Sequence, residues 1–135
     1  MIKKRYYLYY KYALLPKLIK MRERGELTEL KVEEEKVLID KLGNETKVQY
    51  KGHVDSKGDM TGWGSFVDFD RWSGTKQFIS GTFLDRRMEG IIVIKQIGPH
   101  IGLNGTSIQE YHKGECMRVT DYRENYEGVL EFSYG

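Results

Sequence analysis

ISGTFLDRRMEGIIVI, residues 79–94, holds two short apolar runs separated by the charged residues Asp85, Arg86 and Arg87. Branched and aromatic side chains suit the pleated, half-buried surface of a strand. The stretch therefore reads as a β-hairpin with Arg86-Arg87 at its tip. The same pattern extends outward on both sides. TKVQYKGHV, GWGSFVDF, TKQFISGTFL, GIIVIKQI, TSIQEY, GECMRVTDY and GVLEFSY are all short β-like runs, cut by breaks rich in Gly, Ser, Asp, Asn and Lys. Successive hairpins in an antiparallel meander follow from that spacing.

Composition points the same way. The chain has ten Tyr, fifteen Gly and a single Ala, Ala13, which argues against a helical bundle and for sheets with tight turns. A length of 135 residues suits one domain. A basic, aromatic strand/helix segment is expected over 1–25 and a β meander over 26–135. Within the first part, PKLIKMRERGE predicts a short basic helix over 16–24, with Pro16 in its first turn and Gly25 as its stop. Residues 27–42 fit a helix by spacing. The β-branched content and the turn at Gly43-Asn44-Glu45 favour strands. The expected architecture is mainly β, either an open stacked sheet or a small barrel.

Glycine spacing hints at a repeat. Gly81 and Gly90 stand nine apart, as do Gly105 and Gly114. YKGHVDSKGDMTGWGSF, residues 50–66, sets Gly52, Gly58, Gly62 and Gly64 between Tyr50 and Phe66, and resembles a MORN repeat. The later units depart from the pattern, with Ile79 and Leu103 in place of the leading aromatic and no closing Gly-x-Gly. The resemblance implies β-hairpin units stacked into an elongated twisted sheet, and a non-enzymatic binding or scaffolding role toward a protein partner. Glycines within strands would let Tyr50, Phe66, Phe83, Tyr126 or Phe132 lie flat across the backbone.

No catalytic constellation, cofactor motif or metal site is assigned. His53 and Asp55 alternate on one strand, and Asp68 and Asp70 share a strand face, so these four would line the cavity of a small-ligand barrel or an unrecognised enzyme. His112 and Cys116 lie four apart across Lys113-Gly114 without the further ligands that zinc requires. Cys116 is expected to be a small core residue, with Glu115 raising its pKa. GPHIGLNG, residues 98–105, lacks the Lys-Ser/Thr pair of a phosphate loop and reads as a loop.

Charge is the remaining signal. Residues 1–24 carry eight Lys/Arg against one Glu, whereas the rest of the chain carries 14 against 19. Lys3, Lys4, Arg5, Lys11, Lys17, Lys20, Arg22 and Arg24 interleave with Tyr6, Tyr7, Tyr9, Tyr10 and Tyr12, a pattern suited to single-stranded nucleic acid. The same pattern equally suits an anionic membrane surface. It also fits docking onto the acidic remainder, within one chain or in a homo-oligomer, and a strand and helix that close one end of the sheet. Arg86 and Arg87 at the hairpin tip are further candidates for a phosphate contact. A single cysteine excludes an internal disulfide, and no signal peptide or membrane span is apparent, so a cytoplasmic protein is expected. Scarce Ala with abundant Lys, Ile and Tyr is common in AT-rich genomes, so a small viral-type inhibitor is one form of the protein-binding reading.

Overall fold

Alternation and glycine turns do produce strands from residue 28 onward. A computed structural model describes residues 8–99, 104–124 and 130–134. The strands are β1 (Thr28–Glu29), β2 (Glu34–Ile39), β3 (Glu45–Val54), β4 (Met60–Asp70), β5 (Thr75–Leu84), β6 (Arg87–Ile97), β7 (Gly105–His112), β8 (Glu115–Glu124) and β9 (Leu130–Tyr134). All pairings are antiparallel. From β3 to β9 each strand pairs with the next, β1 lies on the outer side of β3, and β2 pairs with β3 off this path. Among the described residues no pairing joins β9 back to β1 or β2, so the sheet is open and not a barrel.

Register explains where the glycines fall. Gly52 pairs with Gly64, and Gly64 pairs in turn with Gly81. In the neighbouring row Tyr50 pairs with Phe66, Phe66 with Ile79, and Ile79 with Ile94. A methyl group on Gly64 would fall inside the phenol of Tyr50, so that ring lies across the bare backbone. Its hydroxyl donates to the His53 carbonyl at 2.7 Å, which satisfies a polar group whose ring is fully buried. Phe83 meets Tyr50 edge-on at 5.3 Å and Phe66 at 6.2 Å. With Val54, Met60, Ile79 and Ile92 these rings form the core, all on one face of the sheet.

A hairpin covers that face. β3 pairs with β4 only from Tyr50 onward, and its first half pairs with β2 alone. The β2–β3 hairpin thus leaves the plane of the sheet and brings Leu38 and Val48 against the core. Its end is tied down where the Ile39 amide donates to the Arg86 carbonyl at 2.8 Å. Strand pairing over 34–39 agrees with the reading from β-branched residues and the Gly43 turn.

The N-terminal segment differs from expectation in one respect. Helix α1 spans Leu15–Glu23, with Pro16 in its first turn, as expected. It ends in a Schellman motif: the Gly25 amide donates to the Arg22 carbonyl and the Glu26 amide to the Met21 carbonyl, with Gly25 at φ +73°. The described part of the preceding Tyr-rich run is helical and not a strand, passing through a π-helical turn over Tyr10–Leu14. Packing overrides aromatic β-propensity here, because the helical turn places Leu14 and Tyr10 beside Gly90 on the sheet. Leu14 and Leu18 are almost fully buried.

Two-residue loops close the β5–β6 and β7–β8 hairpins. Asp85 and Arg86 both have positive φ, as do Lys113 and Gly114, the mark of type I′ turns that match strand twist. Asn tolerates this conformation better than Lys, whose αL geometry is costly. Lys113→Asn is expected to stabilise the fold by about 0.5–1 kcal/mol and to raise the melting temperature by roughly 2 °C, checked by calorimetry.

Candidate functional site

The opposite face of the sheet is where cover runs out. Trp63, Ser65, Val67 and Phe69 alternate along β4 on the side away from Tyr50 and Phe66, and register extends that side across the sheet. Trp63 pairs with Thr82, Ser65 with Ser80, Val67 with Phe78 and Phe69 with Lys76. Onward, Ser80 pairs with Val93, Phe78 with Lys95 and Lys76 with Ile97. α1 and the turn before it lie over the first of these rows. The Arg22 guanidinium sits 4.6 Å from the centre of the Trp63 ring, a cation–π contact, and Leu14 approaches Thr82 and Gly90.

Beyond the helix the face is open. Val67, Phe69, Phe78 and Ile97 are 40–52% exposed and adjoin one another in two rows. Trp72, 99% exposed, stands in the turn that follows Phe69. Lys76 lies directly opposite Phe69, and Lys95 directly opposite Phe78. Neither lysine has an ion-pair partner among the described residues. Strand alternation sends Asp68, Asp70, Gln77 and Gln96 to the other face, where with Ser73 and Thr75 they line a shallow depression. Along the rows from Ser65–Phe69 to Thr106–Ile108, the open face carries no carboxylate.

The other polar clusters are engaged in holding the fold. Glu89, almost completely buried, accepts from the Lys113 amide at 2.6 Å and lies 2.8 Å from His112 Nδ1. Tyr9 meets the same imidazole edge-on at 5.2 Å, and its phenol is pushed up to about 12, first by desolvation and then by the charge and hydrogen bond of Glu89. One carboxylate thus links β6, the β7–β8 turn and the segment before α1. Asp55 Oδ1 accepts from the amides of Lys57 and Asp59 and shapes the β3–β4 turn. Asp59 and Asp85 flank Arg86 Nε at 3.9 and 4.0 Å. The carboxylates of Asp55, Asp59 and Asp85 lie within 4.8 Å of one another, with Arg86 as their counter-charge.

The residues singled out from sequence do not converge. His53 places Nδ1 3.1 Å from the Trp63 carbonyl at one end of β4, while Asp68 and Asp70 lie toward the other. Asp70 accepts from the Trp72 amide and the Ser73 hydroxyl, closing its own turn. Cys116 is exposed and not a core residue, with its thiol near Gln109 and the Arg118 carbonyl. Its thiol is raised as expected, by desolvation first and by Glu110, not Glu115. Arg86 and Arg87 are half-buried at the hairpin tip, with the Arg86 amide bonded to the Met60 carbonyl.

Of the N-terminal cations, Arg22 covers Trp63, Arg24 reaches Glu26 at 3.9 Å, and Lys11 lies 5.4 Å from the Tyr12 ring. Lys17, Lys20 and Arg24 line a shallow outer groove with Tyr12. Tyr9 and Tyr10 turn inward, half-buried, as a closing segment would. Lys3, Lys4, Arg5, Tyr6, Tyr7, His100, Leu103 and Tyr126 lie outside the described residues.

Sequence reading missed the open face, although the alternation in VDFD and TKQF contained it. Comparison with known proteins finds no matching family model, no similar curated protein and no similar solved structure. Among the described residues, no helix is long and apolar enough to cross a membrane.

Buried and half-buried phenols make an alkaline signature. Tyr111, like Tyr9, is pushed up to about 12 by desolvation first, and Tyr50 is raised further by the same cause. Unfolded tyrosines ionise near pH 10, so these groups contribute stability that is fully present below pH 10 and is lost as pH rises toward 12. The urea midpoint is expected to fall steeply over that window. Absorbance at 295 nm should show these phenols titrating late in the folded chain and at the ordinary value in urea.

Proposed function

We propose that this chain is a non-enzymatic binding module, a MORN-like array of hairpins that presents one β surface to a macromolecular partner. The observation that carries this reading is the half-covered sheet face. α1 buries one part of it, while Val67, Phe69, Phe78 and Ile97 form a contiguous exposed block beside it. Contiguous apolar surface of this kind marks interaction sites, because water contact there is unfavourable and a partner relieves it. The glycine row Gly52–Gly64–Gly81, with Tyr50 laid across Gly64, supports the array reading. The binding role is further supported by the use of Asp55, Asp70 and Glu89 in turns and strand ties.

The test is recovery of partners from a cell lysate by the full chain and by Phe69→Ala/Phe78→Ala, with melting curves establishing that both are folded. A discrete partner, protein or nucleic acid, that is recovered by the first and lost with the second is the expected result. Equal recovery by both chains would place binding elsewhere.

A further inference from the structure

We infer that the partner of the open face is single-stranded nucleic acid. This inference rests on the reading of that face as the binding surface and names the ligand class. Rings and cations form a checkerboard on it: Phe69 faces Lys76, and Phe78 faces Lys95 across the next row. Phe69 and Phe78 are diagonal cross-strand neighbours, about 7 Å apart. Aromatic side chains placed in this way on a β-sheet stack two or three successive bases, because every base offers a π-face. The ammonium groups of Lys76 and Lys95, exposed and without an ion-pair partner among the described residues, stand beside these rings and would meet the backbone phosphates of such a strand. Trp72, almost fully exposed, stands in the adjoining turn.

Two features favour this ligand over a protein. Lysine is depleted in the cores of protein interfaces, where its desolvation is costly. Here two lysines occupy the centre of the patch. Strand alternation also removes carboxylates from the rows of this face and sets Asp68 and Asp70 on the reverse side, so a polyanion meets no repulsion within them. On the same side of the sheet, the outer groove of α1 adds Lys17 and Lys20, while Arg24 is paired there with Glu26. The N-terminal aromatics that seemed suited to bases instead pack Tyr9 and Tyr10 against the sheet.

The experiment is fluorescence anisotropy of labelled (dT)15 and (U)15 with the full chain, at several salt concentrations, against a blunt duplex of equal length. Single strands are expected to bind more tightly than the duplex. Phe69→Ala/Phe78→Ala should weaken binding at least tenfold at constant salt. Lys76→Gln/Lys95→Gln should make the log affinity against log salt slope shallower by about 1.4. No binding of either single strand at 50 mM salt, or binding indifferent to the two phenylalanines, would overturn the assignment. If the oligonucleotides fail while the lysate experiment recovers a protein that the double alanine variant loses, the open face remains the binding surface and its ligand is a protein. If both fail, the reading of the face falls too.

Discussion

Gly52→Ala is expected to destabilise the fold by at least about 3 kcal/mol, a very large effect for one methyl group. Gly52 holds φ at +140°, and a Cβ there would overlap the Gly64 Cα and the Trp63 carbonyl of the paired strand. Both obstacles are backbone, so neither can swing aside as a side-chain tip does. Relief requires separating β3 from β4, which breaks the row from Tyr50 to Phe66 and lifts the Tyr50 ring from Gly64. Gly43→Ala is the control. Gly43 also has positive φ, +89°, but no atom lies within 4 Å of the added carbon. Only backbone strain of about 1 kcal/mol should remain there. Urea midpoints for the two variants measure the difference, and equal losses would refute the close approach of β3 and β4.

Phe83→Ala is expected to cost about 3–5 kcal/mol, while Phe69→Ala and Phe78→Ala each cost less than about 1 kcal/mol. The residue type is the same in all three. Phe83 is fully buried between Tyr50 and Phe66, so truncation leaves a cavity that the sheet cannot collapse to fill. Phe69 and Phe78 are already half in water. Thermal unfolding of the three variants separates rings that hold the fold from rings kept at the surface. A large loss at Phe69 or Phe78 would mean that the open face is covered in the native protein by its own chain.

Much of this fold is legible in particular residues. The Gly43-Asn44 turn with Leu38-Ile39 and Lys47-Val48 beside it marks the β2–β3 hairpin, and Lys113-Gly114 marks another. Tyr50, Gly64 and Phe66 stand at spacings that place ring and bare backbone in adjacent rows, and the Tyr50 ring does lie across Gly64. Alternation also sorts Val67 and Phe69 from Asp68 and Asp70. What alternation leaves undetermined is which face is covered, because that depends on a hairpin and a helix arriving from elsewhere in the chain. Tyr9 and Tyr10 carry the same ambiguity: their β-propensity is intrinsic, whereas the helical turn that seats them depends on contacts with Glu89, His112 and Gly90. Cys116 pairs directly with Tyr111 near the end of the β7–β8 hairpin, where a bulge shifts the pairing, and it stays exposed there. That shift has no signature in local composition.

The most direct test of the open face is the amide spectrum of the isotope-labelled full chain during titration with (dT)15. Shift changes concentrated on Val67, Phe69, Lys76, Phe78, Lys95 and Ile97 are expected. Changes confined to α1 around Lys17, Lys20 and Arg24, or no changes at all, would contradict the account.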